Sequence, residues 1–384
     1  MTKFSKKQCE ALSFASGNGL PFAFWREPGH SGFLVLISTM TPRRQPVFMG
    51  NPIPGFVAAP FRTRDANSAW YFVADILIDV AGMRFRSDLE LRDNPASELQ
   101  FQISEGAPRI PIRAQVQAHE TPEAIGSDEY KARVSRAVET IRTGHCDKIV
   151  LSRVEPRDLN PSYDLIALAE ELANVHAHAF ISVISSLPTG TWLTATPEIL
   201  LTVNKDSIGT MALAGTQWPP KGTEINSIDW PQKIVEEQGL VAEYIREAFY
   251  SEGIPGVEET PPYTVQAANL CHLRSDFSAP AVPESVLAGL LRRLHPTSAV
   301  CGMPKDRARE FILHEEGDTR GLYTGYLGPA HIGGNGSLYV NLRSAQVAGN
   351  QIYLHVGGGI VSASVPAVEW EETVEKTKTL TCVL

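Results

Sequence analysis

The last thirty residues of the 384-residue chain gather groups that could bind an anion and a cation together. Gly357-Gly358-Gly359 runs through Ile360-Val361 and a Ser/Ala turn into Pro366. Glu369-Trp370-Glu371-Glu372-Thr373 follows, with Lys376 beyond. Pro366 suits the first turn of a helix, where a missing N–H costs nothing. On that helix Glu369, Glu372 and Lys376 fall at i, i+3 and i+7 and share a face, and Trp370, Val374 and Thr377 take the other. Glycines let backbone N–H groups approach an anion, and two carboxylates can hold a hard cation. The segment thus reads as a site for Mg²⁺ and an anionic ligand. Taken alone, a solvated helix with an i,i+4 Glu372–Lys376 pair is the commoner arrangement.

Other residues add to it. Lys148 opens the run Lys148-Ile149-Val150-Leu151-Ser152-Arg153, and alternation puts it on one face with Val150 and Ser152. Partial burial there would lower its pKa and make it a general base; a strand-end lysine reaching solvent is the simpler alternative. Glu198 follows Pro197, which breaks the strand ladder, and precedes Ile199-Leu200-Leu201. A carboxyl among apolar residues holds its proton and can act as a general acid, whereas a loop glutamate in water cannot. In Met211-Ala212-Leu213-Ala214-Gly215-Thr216, backbone N–H groups and the Thr216 hydroxyl could cradle a carboxylate, or mark only a tight turn. Glu237 shares a helical face with Ile234, Val241 and Ile245, where a carboxylate is costly unless paired or bound to metal. Glu236 points elsewhere and is solvated. His295, in His295-Pro296-Thr297 at a helix end, could orient a ligand or serve as a cap. Arg343 sits in Tyr339-Val340-Asn341-Leu342-Arg343 and could clamp a carboxylate bidentately.

These groups need a scaffold. Early strands are expected at Gly32–Ile37 and Ser68–Ala74, and a Pro- and charge-rich connection over 108–122. A helix runs from Ser127 to about Thr143 on the stripe Tyr130, Val134, Val138, Ile141, with Gly144 as its stop. Further helices are expected near 162–175, 230–251, 283–294 and 304–315. A hairpin pairs Phe180–Ile184 with Trp192–Ala195 across Pro188-Thr189-Gly190. Other strands are Ile199–Val203, Ser337–Arg343 and Gln351–Val356, ahead of the closing helix. Antiparallel groups with helices interspersed indicate an α+β fold rather than a doubly wound parallel sheet.

Composition narrows the class. Hydrophobic residues at 43% and a net charge of −9 describe a globular chain without the basic surplus of a nucleic-acid binder. Cys9, Cys146, Cys271, Cys301 and Cys382 are scattered and odd in number, which speaks against a disulfide framework or a zinc site. No apolar run reaches membrane-spanning length, and the amino terminus has no secretory apolar region, so the cytoplasm is expected.

The strings DKIVLSR, TATPEILL, MALAGT, LHPTSAVCG, GLYTGYLG and GGGIVSASVPAVEWEET occur in the order seen in chorismate-utilising enzymes. Over residues 123–380 the chain resembles the isochorismate synthases of menaquinone and siderophore pathways. The resemblance implies one large α+β domain of two stacked antiparallel sheets flanked by helices. Residues 1–115 would form its β-rich part and 116–384 its chorismate-binding catalytic region. It implies Mg²⁺-dependent conversion of chorismate to isochorismate by a monomer without a glutaminase subunit, membrane or nucleic-acid partner. Lys148 would activate water for attack at C2, and Glu198 would protonate the departing C4 hydroxyl. Glu237 and Glu372 would hold the metal, with Glu369 close or water-mediated. Gly215, Thr216, Tyr323, Arg343, Gly357, Gly358, Gly359 and Lys376 would line the substrate, with His295 beside the ring. Glu236 and Gln238 stand where relatives often have histidines. Lys148, where ammonia-using anthranilate synthases have glutamine, argues for water as nucleophile. Gln217 and Trp218 replace the arginine that typically follows the Gly-Thr pair in salicylate synthases. Menaquinone synthesis is the expected pathway, with siderophore or salicylate supply as the alternative.

Overall fold

A computed structural model describes residues 3–48, 53–79, 82–85, 110–114, 121–217, 223–267 and 270–384. The first part carries α1 (Lys6–Gly17), β1 (Phe22–Arg26), β2 (Leu34–Ile37), β3 (Arg43–Pro46), β4 (Gly55–Ala59), β5 (Ser68–Val73), β6 (Ile76–Ile78) and β7 (Met83–Phe85). Next come α2 (Ser127–Arg142), β8 (Lys148–Asp158), α3 (Leu165–Val175), β9 (Phe180–Ser186), β10 (Gly190–Thr196), β11 (Ile199–Val203) and β12 (Ser207–Gln217). Then follow α4 (Gln232–Ser251), β13 (Glu258–Glu259), β14 (Tyr263–Ala267), β15 (Leu270–Pro280), α5 (Glu284–Leu294), β16 (Gly302–Met303) and α6 (Lys305–Glu316). The chain closes with β17 (Tyr326–Ala330), β18 (Gly336–Val340), β19 (Ser344–Ala348), β20 (Gln351–Ile360) and α7 (Pro366–Thr381).

The strands form two antiparallel sheets. One runs β16-β8-β20-β19-β10-β9-β1-β2-β6-β7, the other β13-β15-β12-β11-β18-β17-β4-β5-β3, with β14 added beside β15. Alternation decides which side chains meet between them. In β9, Phe180 and Ile184 face inward with Trp25, Phe56, Phe72, Trp192 and Tyr339. Ile181 and Val183 face outward onto α1 and α3. Both faces of β9 are therefore buried, which is why its sequence shows an apolar run rather than a polar alternation. The second sheet buries its outer face under α4 and α5. On α2 the stripe Tyr130, Val134, Val138 and Ile141 packs on Ile149 and Leu151 of β8. Asp128 and Glu129 in its first turn and Arg142 in its last complement the helix dipole. The α+β expectation of two stacked antiparallel sheets with flanking helices holds. Among the described residues no helix is long and apolar enough to cross a membrane. The expected connection over 108–122 lies largely outside the described residues.

Two expectations are corrected. The strand expected over 337–343 stops at Val340. Arg343 adopts φ 48°, a left-handed backbone, because the chain turns there from the second sheet into the first. The strand expected over 351–356 runs on to Ile360: Gly357–Gly359 belong to β20 and pair with Ser152, Leu151 and Val150 of β8. Glycine is required by close approach, since a Cβ on Gly357 would lie 2.6 Å from the Leu151 carbonyl oxygen.

Candidate active site

Two of the chain's crossings between the sheets lie side by side. Pro197 and Glu198 lead from β10 to β11; Asn341, Leu342 and Arg343 lead from β18 to β19. The crossovers are laced together. Val340 N–H donates to the Glu198 carbonyl at 3.0 Å, and Ala195 N–H donates to the Arg343 carbonyl at 3.0 Å. Beside them a cavity of about 1170 Å³ opens, lined among others by Lys148, Glu198, Gly215, Glu237, Tyr323, Arg343, Gly357, Gly359, Glu369, Glu372 and Lys376. Residues spread over 229 positions of sequence thus share one wall-to-wall space (148 to 376).

Lys148 is fixed at the start of β8 by the short strand β16, with Met303 opposite it in register. Its Nζ donates to Glu237 Oε1 at 2.6 Å, so the two groups form an ion pair at the cavity wall. Glu237 projects from α4 as its apolar stripe predicts, whereas Glu236 is exposed and Gln238 is buried, donating to the Ala212 carbonyl. Also lining the cavity, Lys376 Nζ bridges Glu372 Oε1 at 2.7 Å and the Gly357 carbonyl at 2.9 Å. The buried stripe of α7 is Glu369, Thr373, Thr377 and Leu380. Glu369 therefore stands on the inner side of the helix together with Thr377, which had been expected to face away from it.

Glu198 is 7% exposed, and burial pushes its carboxyl up to about 7 against the pull of Thr297, Lys148 and Arg343. Its Oε1 accepts from the Thr297 hydroxyl at 3.4 Å. A carboxyl raised to about 7 keeps its proton over pH values at which an ordinary glutamate is ionised. Burial pulls Arg343 down to about 10, opposed by Glu198, so the guanidinium stays charged at neutral pH. A non-glycine residue held in a left-handed conformation at such a point stores strain, and strain of this kind collects at binding sites.

A histidine relay ties Arg343 to β12. His272 Nδ1 lies 2.8 Å from the Gly215 carbonyl, and its Nε2 lies 3.3 Å from an Arg343 nitrogen. The carbonyl requires the proton on Nδ1, which leaves Nε2 to accept from Arg343. Burial pushes His272 down to about 4, so the ring is neutral. Gly215, at φ +66°, sits in a bulge of β12, and a Cβ there would lie 2.3 Å from Ile234 Cγ2. Glycine lets α4 close over β12 and carry Glu237 to the cavity. The side chain of Thr216 lies outside the described residues.

Two predicted site residues are displaced. His295 does not line the cavity; it is buried edge-on against Tyr326 at 5.1 Å, near the Pro60 and Phe61 backbone, and burial pushes it down to about 3. Gly358, between two cavity-facing glycines, turns to the other face of β20, as alternation requires. The histidines that do line the cavity are His176, His272 and His355. His355 was legible: two residues before Gly357 on one strand, it must share that glycine's face.

The carboxylates fit a small hard cation. Glu237, Glu369 and Glu372 bring oxygen donors to one cavity from two helices, the donor type Mg²⁺ takes. Among the described residues no three acidic, histidine or thiol groups are already gathered around one point.

The family model for chorismate binding enzymes matches residues 84–384. The chain is similar to the salicylate biosynthesis isochorismate synthase of Pseudomonas aeruginosa, 34% identical over 256 residues, covering 65% of this chain and 53% of the relative. It is 30% identical over 270 residues to isochorismate synthase DhbC of Bacillus subtilis, covering 66% of this chain and 67% of the relative. The chain thus spans between about half and two thirds of the curated relatives it matches. Its fold matches that of the menaquinone-specific isochorismate synthase MenF of Escherichia coli, with a TM-score of 0.76 at 21% identity over 97% of this chain and 91% of that one.

Proposed function

The chain belongs to the chorismate binding enzyme family, and we propose that it converts chorismate to isochorismate with the help of Mg²⁺. The observation that carries this reading is Glu198: a buried carboxyl raised to about 7, facing the same cavity as Lys148. Adding water at C2 of the ring and expelling the C4 hydroxyl needs a base and an acid at once. Lys148, in its neutral form and released from its pairing with Glu237, takes a proton from water as the water oxygen bonds to C2. Both ring double bonds shift, C1=C2 to C1=C6 and C5=C6 to C4=C5, the C4–O bond breaks, and Glu198 delivers its proton to the leaving hydroxyl. One water enters and one leaves, so the product is an isomer. Arg343, positioned by His272, holds a substrate carboxylate, and Lys376 with the Gly357 and Gly359 edge of β20 faces the other. Glu237 and Glu372 would hold Mg²⁺, with Glu369 behind them, and the ion would supply positive charge to a substrate carboxylate. Menaquinone synthesis is the proposed pathway; siderophore or salicylate supply is the alternative.

The test is a product assay. Purified protein given chorismate and Mg²⁺ is expected to form isochorismate with little pyruvate, and Lys148→Gln to form none while remaining folded by circular dichroism. Stoichiometric pyruvate and salicylate would instead make the protein a salicylate synthase, and near-normal turnover by Lys148→Gln would remove that lysine from the reaction.

A further inference from the structure

Behind the carboxylates lies a hydroxyl with nothing to bond. Tyr130 on α2 is fully buried, and its hydroxyl has no hydrogen-bond partner. Its ring belongs to the apolar stripe with Val134, Val138 and Ile141, and packs against Trp370 of α7 at 5.9 Å. Phenylalanine would fill that stripe equally well. A buried hydroxyl left unpaired is destabilising, so the oxygen is surplus to packing.

Gly358 explains what the hydroxyl faces. Because this glycine turns away from the cavity, its missing side chain leaves a niche between β20, α2 and α7. A Cβ built on it would lie 3.4 Å from Glu369 Oε2, 3.7 Å from the Tyr130 hydroxyl and 4.0 Å from Glu372 Oε1. Three oxygens from two helices surround one small volume, and one of them belongs to an unpaired donor. A phenol hydroxyl is protonated at neutral pH and can donate toward these carboxylates.

We propose that Tyr130 is a positioning residue, whose hydroxyl donates across the Gly358 niche to the Glu369 carboxylate and holds it in the orientation that backs a divalent cation at Glu372. This rests on the reading of these carboxylates as the cation site. Partners of metal-binding carboxylates typically set affinity by about 10–100-fold.

The test is direct Mn²⁺ binding to the full chain, followed by electron paramagnetic resonance of the free ion, with no turnover required. Tyr130→Phe is expected to weaken Mn²⁺ binding about 10–100-fold, while the metal-free variant is as stable as the wild type or more so. Gly358→Ala is the second variant. Its methyl makes only ordinary contacts but fills the niche, and the same loss of affinity is expected. Wild-type affinity in both variants would overturn the proposal. Wild-type protein that takes up no Mn²⁺, or Glu237→Gln and Glu372→Gln variants that bind it normally, would instead refute the cation reading, and this inference with it.

Discussion

Replacing Glu198 by glutamine should make the protein more stable and nearly inactive, and the gain in stability should depend on pH. A glutamate carboxyl that ordinarily ionises near 4.5 is held in the folded protein at about 7, chiefly by burial. Between those values the folded state keeps a proton that the unfolded state has released. Stability therefore falls as pH rises through that window, by up to about 1.4 kcal/mol per pH unit. Carried from 4.5 to about 7, the penalty for this one group reaches roughly 3 kcal/mol. Glutamine has the same shape, its Oε1 can still accept from Thr297, and it carries no such penalty. Urea denaturation of Glu198→Gln and wild type, run at pH 5, 6, 7 and 8, should give a difference below about 1 kcal/mol at pH 5 that grows toward about 3 kcal/mol at pH 8. Isochorismate formation should fall at least about 10²-fold in the variant, since no proton donor remains. In the wild type kcat/KM should decline above about pH 7, as Glu198 ionises. A stability difference that does not change with pH would show that the carboxyl ionises normally, and the assignment of Glu198 as the acid would fall with it.

Two further perturbations address the lysine and the cation. A Cβ on Gly359 would lie 2.9 Å from Lys148 Cε, so Gly359→Ala should push the amine aside and lower kcat by about 10²-fold with little loss of thermal stability; unchanged kcat would mean that the position of Lys148 is not critical. Glu237→Ala and Glu372→Ala should each raise the Mg²⁺ concentration giving half-maximal rate far more than Glu236→Ala, because Glu236 is exposed on α4; if Glu236→Ala proves the damaging change, the ligand is one position earlier.

The sequence carried the site residues better than the path of the backbone between them. The apolar stripe of α4 delivered Glu237, and the run after Pro197 delivered a desolvated Glu198, because both signals are local. Arg343 was named for the right wall but drawn in a strand. Periodicity describes a strand and carries no mark of the point where the chain leaves one sheet for the other. The strand before the glycine run was ended too early in the same way, at Val356, because only the approach of Leu151 and Lys148 shows why glycines continue it. His295 and His272 show the limit most clearly. His295 follows a helix and precedes a proline, as exposed loop histidines do, yet it is packed in the core. His272 had a quieter signal, an alternation of Cys271, Leu273, Ser275 and Phe277 that puts His272 and Arg274 on the opposite face of β15. That pattern says which side of a strand a histidine takes, but not which arginine waits there.

An acidic chain that binds a substrate with two carboxylates must find positive charge locally. The cavity holds Lys148, Arg343 and Lys376 against Glu198, Glu237, Glu369 and Glu372, with Lys378 and Glu375 paired to each other. Lys148 is committed to Glu237 and Lys376 to Glu372, so neither amine presents its full charge to an incoming anion. Arg343 is different. Its side-chain contact is the neutral His272, and the nearest acid acting on it is Glu198. If Glu198 were ionised it would cancel that charge, and a dianion would meet a cavity of neutral pairs. In the proposed reaction a protonated Glu198 would serve both steps: it would store the proton for the leaving hydroxyl and leave Arg343 to attract the substrate. A divalent cation at Glu237 and Glu372 would complete the balance, competing with both lysines for the same carboxylates. It would free Lys148 for water and Lys376 for the second carboxylate.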